Sequence, residues 1–273
     1  MTLTKEQINF YHQEGYLLVE NSFSLDDVKI LNQQWATIYA TDTPGRVLEE
    51  ETDIVRMVHG VHKNNPVFSR LVQHPKMLMP AMQLLDDHQV YVHQSKINAK
   101  MAFVGDVWAW HQDYTFWAKK DGMPNPHTLN ATVFLSEVNE FNGPLMVIPK
   151  THKIGLYDDT KKEVNLQEDE PDWMSQMTVN LEYSLEQETI AHYVEKYGIV
   201  APKGAAGSIL FFHPSIFHGS AANMSPVNRA LALISYNSVK NKLQDVKNPR
   251  PWFLANRDFT PISPLKDNRL DIK

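Results

Sequence analysis

The amino-acid sequence predicts a mainly β fold with helices packed outside it, a double-stranded β-helix or jelly roll of cupin-like architecture. Three observations carry this. The first quarter is rich in helix-start signals, and the second half is a series of short β-branched runs. No helix-length segments separate the later runs at βαβ spacing, which favours antiparallel pairing over a parallel sheet.

Each element has its own reason. Thr4 with Gln7 forms a capping box that opens a short helix ended by Gly15, and Ser24 with Asp27 repeats the signal ahead of a longer helix reaching Tyr39. A third helix is expected over 76–85. Strands are expected over 90–103, 128–136, 145–149, 208–212 and 229–238. The stretch 158–196 is acidic, lacks a strand period and lies between two β runs, so it reads as an excursion over the barrel mouth. The organisation expected is one domain over 1–273, helical over about 1–88, with a jelly-roll core over about 89–240 and the excursion inserted in it.

Composition narrows the function classes. The chain has 273 residues, 42% of them hydrophobic, enough to bury a sizeable core. It has no cysteine, which excludes disulfides, zinc-thiolate sites and a cysteine nucleophile. Any metal must be held by nitrogen and oxygen. A net charge of −6 with no basic stripe argues against nucleic acid, and no apolar run approaches the roughly 18 residues of a membrane span. The expectation is a soluble, cytoplasmic protein acting on a small molecule, with a homodimer possible.

The chemistry centres on Trp110-His111-Gln112-Asp113, which follows a β run. In extended chain, residues two apart face the same side, so His111 and Asp113 aim together while Gln112 points away. His218, 107 residues later, is the best third ligand. Two imidazoles and a carboxylate form a facial triad with open positions, a ligand set suited to iron(II) and oxygen chemistry. With 12 histidines in the chain, an H-x-D triplet also arises by chance. Arg229 adds an independent signal: it lies 11 residues past His218 at the start of a strand, where a hairpin would bring its guanidinium beside the metal to grip a carboxylate. A strand-edge surface charge is the alternative. Gln94, Lys96 and Asn98 share one strand face, which reads as pocket lining or as the solvent face of an edge strand. Trp110 and Trp117 flank the metal segment and are placed in the pocket wall. His93, His127, His152 and His213 are assigned to packing or surface.

These segments resemble the phytanoyl-CoA dioxygenase superfamily, and within it the bacterial free-amino-acid (leucine-type) hydroxylases and ectoine hydroxylases. The resemblance is carried by Gln94-Ser95-Lys96-Ile97-Asn98, Trp110-His111-Gln112-Asp113, Asp121-Gly122-Met123-Pro124, Glu140-Phe141-Asn142-Gly143-Pro144-Leu145, Pro149-Lys150-Thr151-His152-Lys153, and His218-Gly219-Ser220 through Arg229. It implies iron(II) on His111, Asp113 and His218, 2-oxoglutarate with its distal carboxylate on Arg229, and O2 as oxidant. Ser220 and Thr132, with Lys96 and Asn98, match positions that hold the co-substrate. Related halogenases carry a small residue where Asp113 stands, so hydroxylation is expected here. The substrate expected is a free aliphatic L-amino acid, with Gln94, Trp110 and Trp117 lining its site and Arg56 pairing with its carboxylate. The leucine-type enzymes share lysine at the centre of the Gln94-to-Asn98 pattern; ectoine hydroxylases carry arginine there and serine where Gln112 stands. Ectoine hydroxylation is the alternative substrate reading, and a non-redox metal-binding jelly roll or a lectin-like sandwich the alternative class.

Overall fold

A computed structural model describes residues 1–157, 161–164, 171–179 and 181–271. The helix signals act as expected. Helix α1 (Lys5–Glu14) and helix α2 (Leu25–Ala40) each begin on a complete capping box, Thr4 with Gln7 and Ser24 with Asp27. Gly15 ends α1 at φ +84°, the left-handed conformation that glycine adopts without a Cβ penalty. Helices α3 (Val61–Asn64), α4 (Pro66–Leu71) and α5 (Pro75–Leu85) follow, the last two with proline in the first turn.

The amino-terminal region also holds three short strands that the sequence reading assigned to helical context: β1 (Tyr16–Val19), β2 (Arg46–Leu48) and β3 (Val55–His59). They join β4 (Val90–Lys100), β6 (Thr128–Phe134), β8 (Ile209–Phe212) and β10 (Arg229–Ser238) in a seven-stranded antiparallel sheet, ordered β1-β8-β6-β10-β4-β3-β2. A second sheet of β5 (Trp108–His111), β9 (Phe217–Ser220) and β7 (Leu145–Ile148) faces it, in the order β5-β9-β7. The fold is the expected jelly roll.

Alternation sorts the side chains of the large sheet. On β10, Ala230, Ala232 and Ile234 join the core beneath α2, α4 and α5, while Leu231 and Leu233 face the barrel interior. On β6, Leu129, Ala131 and Val133 point to the helices. Asn130, Thr132 and Phe134, two apart and offset by one, take the other face. Strand β8 divides alike, Ile209 and Phe211 outward, Leu210 and Phe212 inward. Phe211 is fully buried, and truncating such a side chain to alanine costs about 3–5 kcal/mol. One extra residue on β4, between the partners of Ser235 and Tyr236, breaks the alternation. This bulge keeps Val92 in the outer core yet turns Gln94, Lys96 and Asn98 into the barrel.

Part of the excursion, 158–160, 165–170 and 180, lies outside the described residues. Its described parts include a 3-10 turn (Asp172–Gln176) and helix α7 (Gln187–Tyr197), not anticipated from sequence, whose Ile190, Tyr193, Val194 and Tyr197 pack on a cluster with Ile148, Leu185 and Phe217. No helix among the described residues is long and apolar enough to cross a membrane.

Candidate active site

Strands β5 and β9 pair with His111 opposite His218. Their rings stand 4.2 Å apart between centroids. Beyond His111 the chain stays extended at Gln112 (φ −114°, ψ 129°) before Asp113 opens the one-turn helix α6 (Asp113–Phe116). His111 and Asp113 thus share a side, as extended geometry requires. Asp113 Oδ1 lies 3.6 Å from His111 Nε2 and Oδ2 lies 3.7 Å from His218 Nε2. One donor atom from each of the three falls within 4.8 Å of the others.

Their neighbours aim these donors. His111 Nδ1 donates to Ala109 O at 2.7 Å and His218 Nδ1 to Ile216 O at 3.0 Å, since a carbonyl can only accept. Both bonds place the free lone pair on Nε2, facing the site. Asn130 Nδ2 donates to Asp113 Oδ2 at 2.7 Å, and Asn130 Oδ1 accepts from Ser235 Oγ at 2.6 Å. Gln112, turned away, is buried and braced: Nε2 donates to Gly155 O and Ser215 O, and Oε1 accepts from Tyr157 N. Burial opposes ionisation of Asp113, but the fields of His218, Lys96 and His111 outweigh it and hold the carboxyl well below the usual range. Burial, with His111 alongside, pushes His218 down to about 4. An ionised carboxylate and a neutral imidazole are the forms a metal binds.

A cavity opens over the triad, lined among others by Gln94, Lys96, Asn98, Trp117, Ser220 and Arg229. Arg229 is 2% exposed. Its Nη2 donates to Gly143 O at 2.7 Å, its Nη1 reaches Asn98 Oδ1 at 3.5 Å, and its Nε has no partner. Gly143 sits at φ +72°, where an added Cβ would lie 2.6 Å from Ala221 O, so the turn that presents this carbonyl requires glycine. Among the described residues no carboxylate pairs with Arg229, and burial beside Arg56 pushes its pKa down to about 9. Thr132 Oγ1 is likewise buried without a partner. An unpaired buried cation and an orphaned hydroxyl fit an anionic ligand that completes them, while the His-Asp-His donor set fits iron(II). Lys96 faces Asp113 electrostatically, and burial lowers its pKa.

Three predicted residues, Thr132, Trp110 and Arg56, do not line this cavity. Trp110 neighbours His111 on the strand and so faces the opposite side, packing on the cluster of Ile148, Leu185 and Phe217. Trp108 lines the cavity instead, because the pairing of β5 with β9 slips between Trp108 and His111. Arg56 is buried with its charge already met: Nη1 binds Glu49 Oε2 at 2.6 Å, Nη2 donates to Val107 O at 2.6 Å, and the guanidinium lies 3.9 Å over the Trp108 ring. Arg56 and Trp110 line a second cleft that shares Met177 and Leu181 with the first. The sequence reading also missed Asn130, Phe116, Gln176, Met177, Leu181 and Arg250. Only Asn130 left a signal, as a polar residue two before Thr132 on a strand with an apolar opposite face.

The profile of the phytanoyl-CoA dioxygenase family matches residues 11–231. The chain belongs to that family. Among relatives of this dioxygenase, the L-proline trans-4-hydroxylase of Streptomyces griseoviridis is 38% identical over 260 residues, covering 95% of each chain. The ectoine dioxygenase of Sphingopyxis alaskensis is 34% identical, over 93% of this chain and 83% of that one. The crystal structure of EctD from S. alaskensis with 2-oxoglutarate and 5-hydroxyectoine superposes with a TM-score of 0.81 at 32% identity, over 96% of this chain and 86% of that one. The same enzyme with bound Fe gives 0.81 at 30% identity, over 98% and 89%. The family member described here is an iron- and 2-oxoglutarate-dependent dioxygenase.

Proposed function

We propose that this dioxygenase hydroxylates an unactivated carbon of a free aliphatic L-amino acid. The observation that carries this is the amphipathic character of the cavity beyond the triad, where Lys96 stands among Phe116, Trp117, Met177 and Leu181. A carboxylate at the cationic end would leave an aliphatic side chain among the apolar groups, which lend binding but no reactivity of their own. The 38% identity to an enzyme acting on L-proline supports an amino acid, and lysine rather than arginine at position 96 weighs against ectoine. Ectoine remains the second reading because the ectoine dioxygenases are nearly as similar.

In this reading His111, Asp113 and His218 hold iron(II), and Arg229 grips the distal carboxylate of 2-oxoglutarate with Asn98, Ser220 and Thr132 around it. Lys96 lies between co-substrate and substrate. Gln94 and Trp117 line the substrate site, while Arg56 and Trp110 support its wall from behind. Iron(II) bound there with 2-oxoglutarate and O2 supplies the oxidant, yielding succinate, carbon dioxide and one oxygen atom for the substrate carbon. The chain's own task is positional: it presents one C–H to that oxidant and excludes alternatives. A single domain over 1–273, a cytoplasmic location and a homodimer belong to the same proposal.

The test is competitive. Purified protein with iron(II), ascorbate and 2-oxoglutarate is offered leucine, isoleucine, valine, methionine, proline, lysine and ectoine together, and the expected product is an aliphatic amino acid heavier by one oxygen. Oxidation of ectoine alone, or of none of these while an acyl thioester is consumed, overturns the assignment.

A further inference from the structure

Trp108 opens β5 and lines the cavity over the triad, turned to it by the slip in the pairing with β9. Its ring packs on two apolar clusters at once, one holding Phe116, Trp117 and Leu181, the other Met57 and Met177. All five of those side chains line the cavity, so Trp108 stands where its apolar surfaces meet. The Arg56 guanidinium lies over the indole, 3.9 Å from the ring centre. Arg56 is 2% exposed and held at both ends of its fork, by Glu49 Oε2 and by Val107 O, each at 2.6 Å. Glu49 is buried in turn, and its Oε1 accepts from Asp106 N at 3.1 Å. A planar cation fixed in this way and stacked on an indole leaves the ring one orientation.

The second cleft lies on the far side of this stack. Among the described residues Trp108 lines the first cavity, Arg56 and Glu49 line the cleft, and Met177 and Leu181 line both. Indole and guanidinium are thus two leaves of one wall between the two spaces. A rigid wall at the apolar end of a pocket discriminates by length, since a chain too long for the space must displace packed atoms to enter.

We propose that Trp108, braced by Arg56, is the stop against which the end of the substrate's side chain rests, and that it sets the length this dioxygenase accepts. The inference rests on the amino-acid reading and names the residue that measures the side chain. A smaller residue at this position would join the cavity to the cleft and admit longer chains.

Competition among L-proline, L-leucine, L-norleucine and L-2-aminooctanoate, offered together with iron(II), ascorbate and 2-oxoglutarate, tests this by the mass of the oxidised products. The readout is the product from 2-aminooctanoate relative to that from the best of the shorter acids. This ratio does not depend on how much of a variant is active, because all the acids compete for one site. Wild-type protein is expected to give a ratio of about one tenth or less, and Trp108→Ala to raise it by about tenfold or more. Trp108→Phe should fall between them. It keeps a ring under Arg56 and loses no hydrogen bond, since the indole N–H is buried without a partner, so it decides the question should Trp108→Ala fail to fold. Arg56→Met combined with Glu49→Gln, which strands no buried carboxylate, loosens the brace and should raise the ratio less than Trp108→Ala does. The absorbance change on adding 2-oxoglutarate to the anaerobic iron(II) protein checks in each variant that the metal half is intact. A wild-type ratio near one, or a ratio unchanged in the folded Trp108 variants, overturns the inference and leaves the amino-acid reading standing. If wild-type protein oxidises none of the four acids, the amino-acid reading falls and takes Trp108 with it.

Discussion

The two halves of the cavity are built differently. The half holding His111, His218, Asn98, Ser220 and Arg229 stands on paired strands, where ladders of backbone hydrogen bonds set the side chains. The half holding Gln176, Met177, Leu181 and Arg250 stands on a 3-10 turn and coil. Described tethers of the excursion include the Lys120–Glu182 ion pair at 2.7 Å, Leu185 N to Trp110 O at 2.8 Å, and Gln176 on Arg250. The contrast teaches a division of labour: groups that bind metal and co-substrate need placement within a fraction of an ångström, whereas groups that choose the substrate can sit on segments free to rearrange.

The largest effects should come from the strand half. His111→Ala, Asp113→Ala and His218→Ala are each expected to abolish turnover with the far-ultraviolet circular dichroism unchanged; full activity in any one would sink the triad. Next is Arg229→Ala, which removes one partner of a buried charge pair and should weaken 2-oxoglutarate binding by about 2–5 kcal/mol, read by titration of the anaerobic iron(II) protein. An unaltered 2-oxoglutarate dependence would refute that role. Asn130→Ala, which frees Asp113 Oδ2 from its hydrogen bond, should lower iron affinity by roughly 10- to 100-fold in a chelator competition. Equal affinity would mean that Asn130 only packs.

The coil half should respond more mildly and to ligands rather than to substitution. Limited proteolysis within the excursion is expected to slow when iron, 2-oxoglutarate and substrate are all present, and identical digestion with and without them would erase the distinction between the halves. The smallest effect concerns pH. Burial pushes His213 down to about 3 and His62 to about 4, against 6.5 for an ordinary histidine. The unfolded chain therefore takes up these protons before the folded one does. Stability from both groups is complete above pH 6.5 and declines as pH falls toward 4 and 3. A metal-free urea midpoint lower at pH 5 than at pH 7.5 is the outcome expected; a higher one contradicts it.

Much of the strand half was legible in the sequence because strand period is a local signal. The reach of β10, Arg229–Ser238, coincides with the segment read from β-branched residues, and the same parity placed His111 beside Asp113. The parity argument also tells against Trp110, which shares neither side with His111, and only a slip in the pairing of β5 brings Trp108 round in its stead. Such a slip depends on the partner strand and leaves no mark in the chain itself. Strand β3 was missed because all five of its residues are buried, so no alternation exists to read. Arg56 looked available because its partner, Glu49, lies across a turn on a neighbouring segment. Gln176 and Arg250 could not be seen at all: coil has no period, and the two meet across 74 residues of chain.

The two histidine bonds to Ala109 O and Ile216 O reach back only two residues along the chain. Each ring's tautomer is therefore a property of the local backbone and exists before any metal arrives. With His218 at about 4 and Asp113 far below its usual range, neither holds a proton at neutral pH that iron must expel. Metal capture by these two groups should therefore displace water rather than protons, and proton release measured on iron binding near pH 7 should be small.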